Sequence, residues 1–267
     1  MRLLVAGSAA VDAGKTTFST GLIERTGLPG YKPRAGNDYW YDHDDVREAA
    51  AAGRLYGKDA SRLAAVAPGD TTPEEINPVH RLWLPTPGGG TGILGRSDRA
   101  FAVDRVRYDG ADRFVVNGTV DVPEWLDDRL PIEDAQVVDD VETFNEVMSR
   151  LHVPAISEFG ASMTDAAVVE SYADIALPIS EYTPDAVAVV EPRRCRVFDG
   201  PRYARACDVA SGSPHEGRLE ERVGDVLELL DPVERVRLPA LTTDQRRQPE
   251  AVAEAYAPAY EALLEAV

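Results

Sequence analysis

Lys15, Thr16 and Thr17 close the run Gly7-Ser8-Ala9-Ala10-Val11-Asp12-Ala13-Gly14-Lys15-Thr16-Thr17. A compact ammonium beside two hydroxyls, with a glycine before them, suits phosphate. Gly14 lets the backbone approach closely, Lys15 reaches β- and γ-phosphates, and the Thr16 hydroxyl can ligate Mg²⁺. Thr17 is placed for the α-phosphate. The run departs from G-x-x-x-x-G-K-[ST] at its first position, where Ala9 stands and the nearest glycine, Gly7, lies earlier. The expected nucleotide-binding set is Asp12, Ala13, Gly14, Lys15, Thr16 and Thr17.

Such a loop needs a strand that stops abruptly, a turn whose N–H groups converge on an anion, and a helix start whose dipole favours negative charge. Met1 to Ala6 reads as the strand and Phe18 to Arg25 as the helix. A second short apolar segment ends at Pro33, which disfavours a helical turn at Lys32. Lys32 therefore stands at a strand end as a candidate active-site cation. Asn37 to Asp45 packs acids and aromatics together: Asp38 or Asp42 is a candidate base toward a hydroxyl, and Asp44 or Asp45 reads equally as a helix cap or as a metal contact. Trp40 reads equally as core or as a ligand contact.

The remaining elements read as helices over Val46 to Ala52 and Ala60 to Ala67, then a long Pro- and Gly-rich loop from Pro68 to Gly95. A β-hairpin follows over Phe101 to Val120, turning at Asp109-Gly110-Ala111-Asp112. Val141 to Leu151 reads as a helix, and Val153 to Ser157 as a strand ending at Glu158-Phe159-Gly160. Ala166 to Ala173 reads as a helix, Ile175 to Ile179, Ala186 to Val190 and Cys195 to Phe198 as strands. Glu216 to Leu230 (helix), Val233 to Leu238 (strand) and Pro249 to Ala266 (helix) complete the chain. This alternation predicts an α/β fold with a mostly parallel sheet and helices on both faces, its ligands at the carboxyl ends of the strands. A single domain over 1–267 is expected, with an insertion at about 68–122 carrying the hairpin.

The net charge of −18 is carried on a chain with only three lysines, Lys15, Lys32 and Lys58. Abundant carboxylates with scarce lysine suit a salt-saturated, halophilic cytoplasm, where the Debye length falls to roughly 3 Å in molar salt. No basic stripe is present, which argues against a nucleic-acid partner. No stretch of eighteen apolar residues is present, so no membrane partner is expected and the location is read as cytoplasmic. Cys195 and Cys207 are too few for a disulfide framework or a metal cluster. His43, His80, His152 and His215 show no ligand spacing. Because arginine is the default cation here, each lysine marks a site that needs a compact ammonium. Lys58 has no such setting and reads as surface.

Four segments in order carry a family resemblance: Val11-Asp12-Ala13-Gly14-Lys15-Thr16, Tyr31-Lys32-Pro33, Ile76-Asn77-Pro78 with Pro85 and Pro87, and Glu158-Phe159-Gly160-Ala161. Together they resemble dethiobiotin synthetase and its relatives among P-loop ATPases, such as the amide-forming synthetases of cobyrinate metabolism. The resemblance implies a P-loop NTPase fold, ATP and Mg²⁺ as cofactors, a small-molecule substrate and a homodimer. It implies that Lys15, Thr16 and Thr17 hold the triphosphate and that Lys32 neutralises the substrate or the γ-phosphate. It further implies that Glu158 joins Thr16 around Mg²⁺, with an aspartate after the second strand completing the site, Asp38 being preferred to Asp42.

The chain departs from that family after Lys32-Pro33, where Arg34-Ala35-Gly36-Asn37-Asp38 and then Tyr39-Trp40-Tyr41 replace a loop of small residues. An anionic or planar ligand is expected there, and biotin synthesis is not inferred. Val11 to Thr17 also resembles the V-D-H-G-K-T-T loop of translation GTPases, but N-K-x-D is absent, which favours ATP. The expected function is Mg²⁺-dependent ATP binding and hydrolysis by a ligase or kinase acting on a small molecule. The rival is a nucleotide switch that positions its loops against a protein partner.

Overall fold

The computed structural model describes residues 1–8, 14–86, 92–94, 98–180, 182–210 and 221–267. In chain order the strands are β1 (Arg2–Gly7), β2 (Gly30–Tyr31), β3 (Arg34–Asp38), β4 (Val79–Pro85), β5 (Arg99–Tyr108) and β6 (Ala111–Asn117). They continue with β7 (Gln136–Val138), β8 (Ala167–Glu170), β9 (Ala186–Glu191), β10 (Arg194–Asp199) and β11 (Glu234–Arg237). The chain is α/β with mixed sheets and helices on both sides. It divides into two compact units: residues 1–33, 62–71 and 163–267, and residues 34–61 and 72–162. No helix among the described residues is long and apolar enough to cross a membrane.

The first unit holds a sheet in the order β11-β10-β9-β1-β8-β2. Neighbours from β9 to β2 run parallel, and β10 and β11 are added antiparallel at one edge. β1 is buried from Leu3 to Gly7 and β8 over its whole length, the continuous apolar pattern of strands covered on both faces. Helix α1 (Lys15–Thr26) packs on β1 and β8. Its outer side meets the C-terminal helices: Tyr260 donates its hydroxyl to the Phe18 carbonyl at 2.9 Å, and the two rings meet edge to face at 4.8 Å. Gly21 permits this approach, since a Cβ there would lie 2.5 Å from the Tyr260 oxygen.

The expected terminal helix is two, Pro249–Ala255 and Ala257–Glu265, because Pro258 has no N–H to continue the ladder. Cys195 and Cys207 are buried, and burial pushes both thiols up to about 12, which leaves them protonated and inert.

The second unit holds the sheet β3-β4-β5-β6-β7. β3 and β4 are parallel, β4-β5-β6 antiparallel, and β6 and β7 parallel. The expected hairpin is present and sits in the middle of this sheet. Its turn is the two-residue Asp109-Gly110, with φ of 53° and 72°, the paired left-handed conformation that matches strand twist.

Several expectations are corrected. The Pro68 to Gly95 loop contains a short helix, Pro73–Ile76, and β4, whose prolines fall at its margins where no ladder N–H is lost. Val153 to Ser157 is no strand: it begins the helix Val153–Ser162, continuous with Val141–Val147 through a π-helical turn, Met148–His152. That wide turn precedes Pro154, and the Val153 N–H bonds the Met148 carbonyl five residues back. Conversely, the expected helix Ala166 to Ala173 contains β8, and Ile175 makes only an isolated bridge to Arg222. Of the expected helix Glu216 to Leu230, 216–220 lie outside the described residues and Val223–Leu227 is helical.

Candidate phosphate-binding site of the first unit

The carboxyl ends of β1, β8 and β2 meet at one sheet edge, and α1 starts there. Gly14 caps α1 in the left-handed conformation, φ 86°, which glycine adopts without cost. Asp12 and Ala13, with Ala9 to Val11, lie outside the described residues. Lys15 donates its ammonium to the Ala173 carbonyl at 2.7 Å. Ala173 itself has φ 49°, a strained value for alanine, in the turn that follows β8. Ser171 anchors that turn by donating its N–H to the Val5 carbonyl of β1 at 2.9 Å.

The decisive residue is Glu170, the last of β8, whose Cα pairs in register with Val5. Its side chain is 1 % exposed. Oε1 accepts from the Thr16 hydroxyl at 2.9 Å and from the Lys32 ammonium. Oε2 is buried and has no hydrogen-bond partner among the described residues. A buried carboxylate oxygen left without a donor is costly, and a cation or a ligand donor is what satisfies it. Glu191, at the end of β9 on the other side of β1, is the contrast. It accepts from Ser8 and pairs with Arg194 and Arg196, so that, although burial alone would raise it, these partners hold its carboxyl below the usual range.

Two of the three lysines thus converge on the turn after β8, and the third does not: Lys58 is exposed, 3.9 Å from Asp45. The structure brings together Lys15, Thr16 and Lys32, and places Glu170 with them. Glu158 is an exposed residue of the helix Val153–Ser162, in the second unit. The signal for Glu170 is an acid closing the branched apolar run Ala167-Val168-Val169, a pattern that also fits a buried helix.

Asp38 belongs to the second unit, where it closes the turn between β3 and helix α2 (His43–Ala51). Its Oδ1 accepts from the Trp40 and Tyr41 N–H groups at 3.0 and 3.3 Å, and its own N–H donates to Asp42 Oδ2 at 2.8 Å. Burial raises the Asp42 carboxyl above the usual range, against that bond, with Asp45, Asp59 and Asp38 adding repulsion. Asp44 and Asp45 lie in the first turn of α2, where its dipole favours them, without capping it. Trp40 is 65 % exposed, so it is not core. Arg34 is largely buried, and burial and the charge of Arg81 lower its pKa. Among the described residues no group of three or more His, Cys, Asp or Glu is placed to hold a metal ion.

Comparison of the chain with protein-family models, with curated proteins and with solved structures finds no match. The functional reading therefore rests on the site itself.

Proposed function

We propose that the first unit is an Mg²⁺-dependent, ATP-binding and ATP-hydrolysing P-loop unit, and that the chain works as a ligase or kinase on a small molecule. The observation that carries this reading is Glu170: one oxygen is held by Thr16 and Lys32, and the other is buried without a partner among the described residues, beside the start of a helix that opens Gly14-Lys15-Thr16. Thr16 and Glu170 supply the hard oxygen donors that Mg²⁺ takes alongside phosphate and water, which needs only one or two protein ligands. They take the place expected of Thr16 with Glu158.

In the reaction a nucleophilic oxygen bonds the γ-phosphorus as the bond from that phosphorus to the β–γ bridging oxygen breaks, releasing ADP, and where that oxygen comes from water or a hydroxyl its proton leaves to solvent. Phosphoryl transfer asks for positioning and charge cancellation more than for covalent chemistry. Lys15 leaves the Ala173 carbonyl to hold the terminal phosphates, the α1 N-terminus directs its N–H groups at them, and Lys32 holds the Glu170 carboxylate in place. Mg²⁺, when bound, cancels charge on the phosphate oxygens.

Thermal unfolding in multimolar KCl, with and without Mg²⁺ and ATP, GTP or ADP, tests the reading on the intact chain, Lys15→Ala and Glu170→Gln. Ligand at 100 times its dissociation constant adds about 2.7 kcal/mol. The expected result is a stabilisation by ATP that Lys15→Ala abolishes and that in Glu170→Gln no longer depends on Mg²⁺. No shift with any nucleotide sinks the reading.

A further inference from the structure

Thr17 follows Thr16 on α1, and one helical step turns a side chain by about 100°. Its hydroxyl therefore does not share the Glu170 carboxylate that holds Thr16. It meets Arg62 of helix α3 (Lys58–Val66) instead, with Nη2 3.5 Å from the Thr17 hydroxyl oxygen. The same Nη2 donates to the Arg246 carbonyl at 2.8 Å, the last residue of the helix Thr243–Arg246. Nε and Nη1 of Arg62 bond nothing among the described residues. All of these residues belong to the first unit.

A guanidinium has five donors in a planar fork, and phosphate is the group that fork fits best. Here it lies beside Thr17 in the first turn of α1, one residue on from Thr16, whose hydroxyl holds the buried Glu170 carboxylate. Lys15 and Thr16 serve the β and γ end of a triphosphate, which leaves the α-phosphate to the Thr17 side. We infer that Arg62 is a nucleotide-binding residue that pairs with the α-phosphate of a nucleoside di- or triphosphate beside Thr17. The bond to the Arg246 carbonyl fixes the head of the guanidinium beside Thr17 and leaves Nε and Nη1 for a ligand. This inference rests on the nucleotide reading of the site.

Isothermal titration of the intact chain, Arg62→Gln and Lys15→Ala with MgATP, MgATPγS and the two diastereomers of MgATPαS separates the possibilities, with circular dichroism confirming that each variant is folded. One hydrogen-bonded charge pair lost corresponds to about tenfold in affinity. Arg62→Gln is expected to bind ATP about tenfold more weakly. One ATPαS diastereomer is expected to bind the intact chain more weakly than ATP, with that difference gone in Arg62→Gln and any ATPγS difference kept. Unchanged ATP affinity in Arg62→Gln overturns the inference and leaves the nucleotide reading standing. So does a weaker affinity with the α-thio difference intact, because a structural role would act that way. If the intact chain binds no nucleotide, or Lys15→Ala binds as well, the nucleotide reading falls and Arg62 falls with it.

Discussion

Glu170 and Lys32 form a pair with side chains 1 % and 3 % exposed. Removing one partner of such a pair leaves the other charge buried, which costs roughly 3–5 kcal/mol, whereas replacing both with apolar residues is often neutral. Lys32→Met is therefore expected to lower the urea midpoint steeply, and Lys32→Met with Glu170→Leu to recover most of it. Equal midpoints for the single variant and the native chain would show that the pair contributes nothing. The scarcity of lysine made Lys15 and Lys32 legible as candidate site residues before any fold was known. Glu170 was not legible, because nothing in Ala167-Val168-Val169-Glu170 separates a buried strand from a buried helix.

Glycines test the elements. Gly14 has φ 86°, and among the described residues the nearest atom to a Cβ there is Val190 Cγ1 at 4.0 Å, so the cost of Gly14→Ala is one of backbone conformation, roughly 1–2 kcal/mol. That change falls on the α1 start, and nucleotide binding is expected to weaken with it. Gly200 begins the helix Gly200–Ala210, and a Cβ there would lie 2.0 Å from the Pro184 carbonyl oxygen, a backbone atom that cannot yield. Gly200→Ala is expected to destabilise by roughly 1–3 kcal/mol or more and to leave the ATP dissociation constant of the folded protein unchanged. Calorimetric unfolding and titration on both variants check this contrast. The strand and helix exchanged around Val153 and Ala167 have a shared cause. Both are short apolar runs, and a proline tolerated by a π-helical turn mimicked the break between elements.

For the whole molecule, charge is the lever. With a net charge of −18, self-repulsion opposes the compact state and salt screens it, so the midpoint of thermal unfolding is expected to rise from dilute buffer to molar KCl. A fall over that range would contradict the salt-rich reading. Acid acts on the second unit through Asp104, which is fully buried. Burial alone would raise its carboxyl, but the Arg81 fork and His152 Nε2, at 2.8 Å, lower it to about 2. A carboxyl depressed in the folded state stabilises above its ordinary pKa and loses that contribution as protons bind. About 2 kcal/mol is therefore expected to disappear between roughly pH 4 and pH 2. All three tryptophans, Trp40, Trp83 and Trp125, lie in the second unit, so their emission follows this loss, and Asp104→Asn should flatten it.

The amino-acid sequence by itself determined the parts whose physics is local. Helix α1 starts directly after Gly14, and the two strands joined by Asp109-Gly110 are contiguous in the chain, so the helix and the hairpin are each held by hydrogen bonds among near neighbours. Tertiary structure alone decided which carboxylate faces Thr16. Glu170 is 154 residues away along the chain, and it arrives because β8 pairs in parallel beside β1. Parallel neighbours are chosen by how buried faces and crossover helices pack, and no local pattern of residue types records that choice.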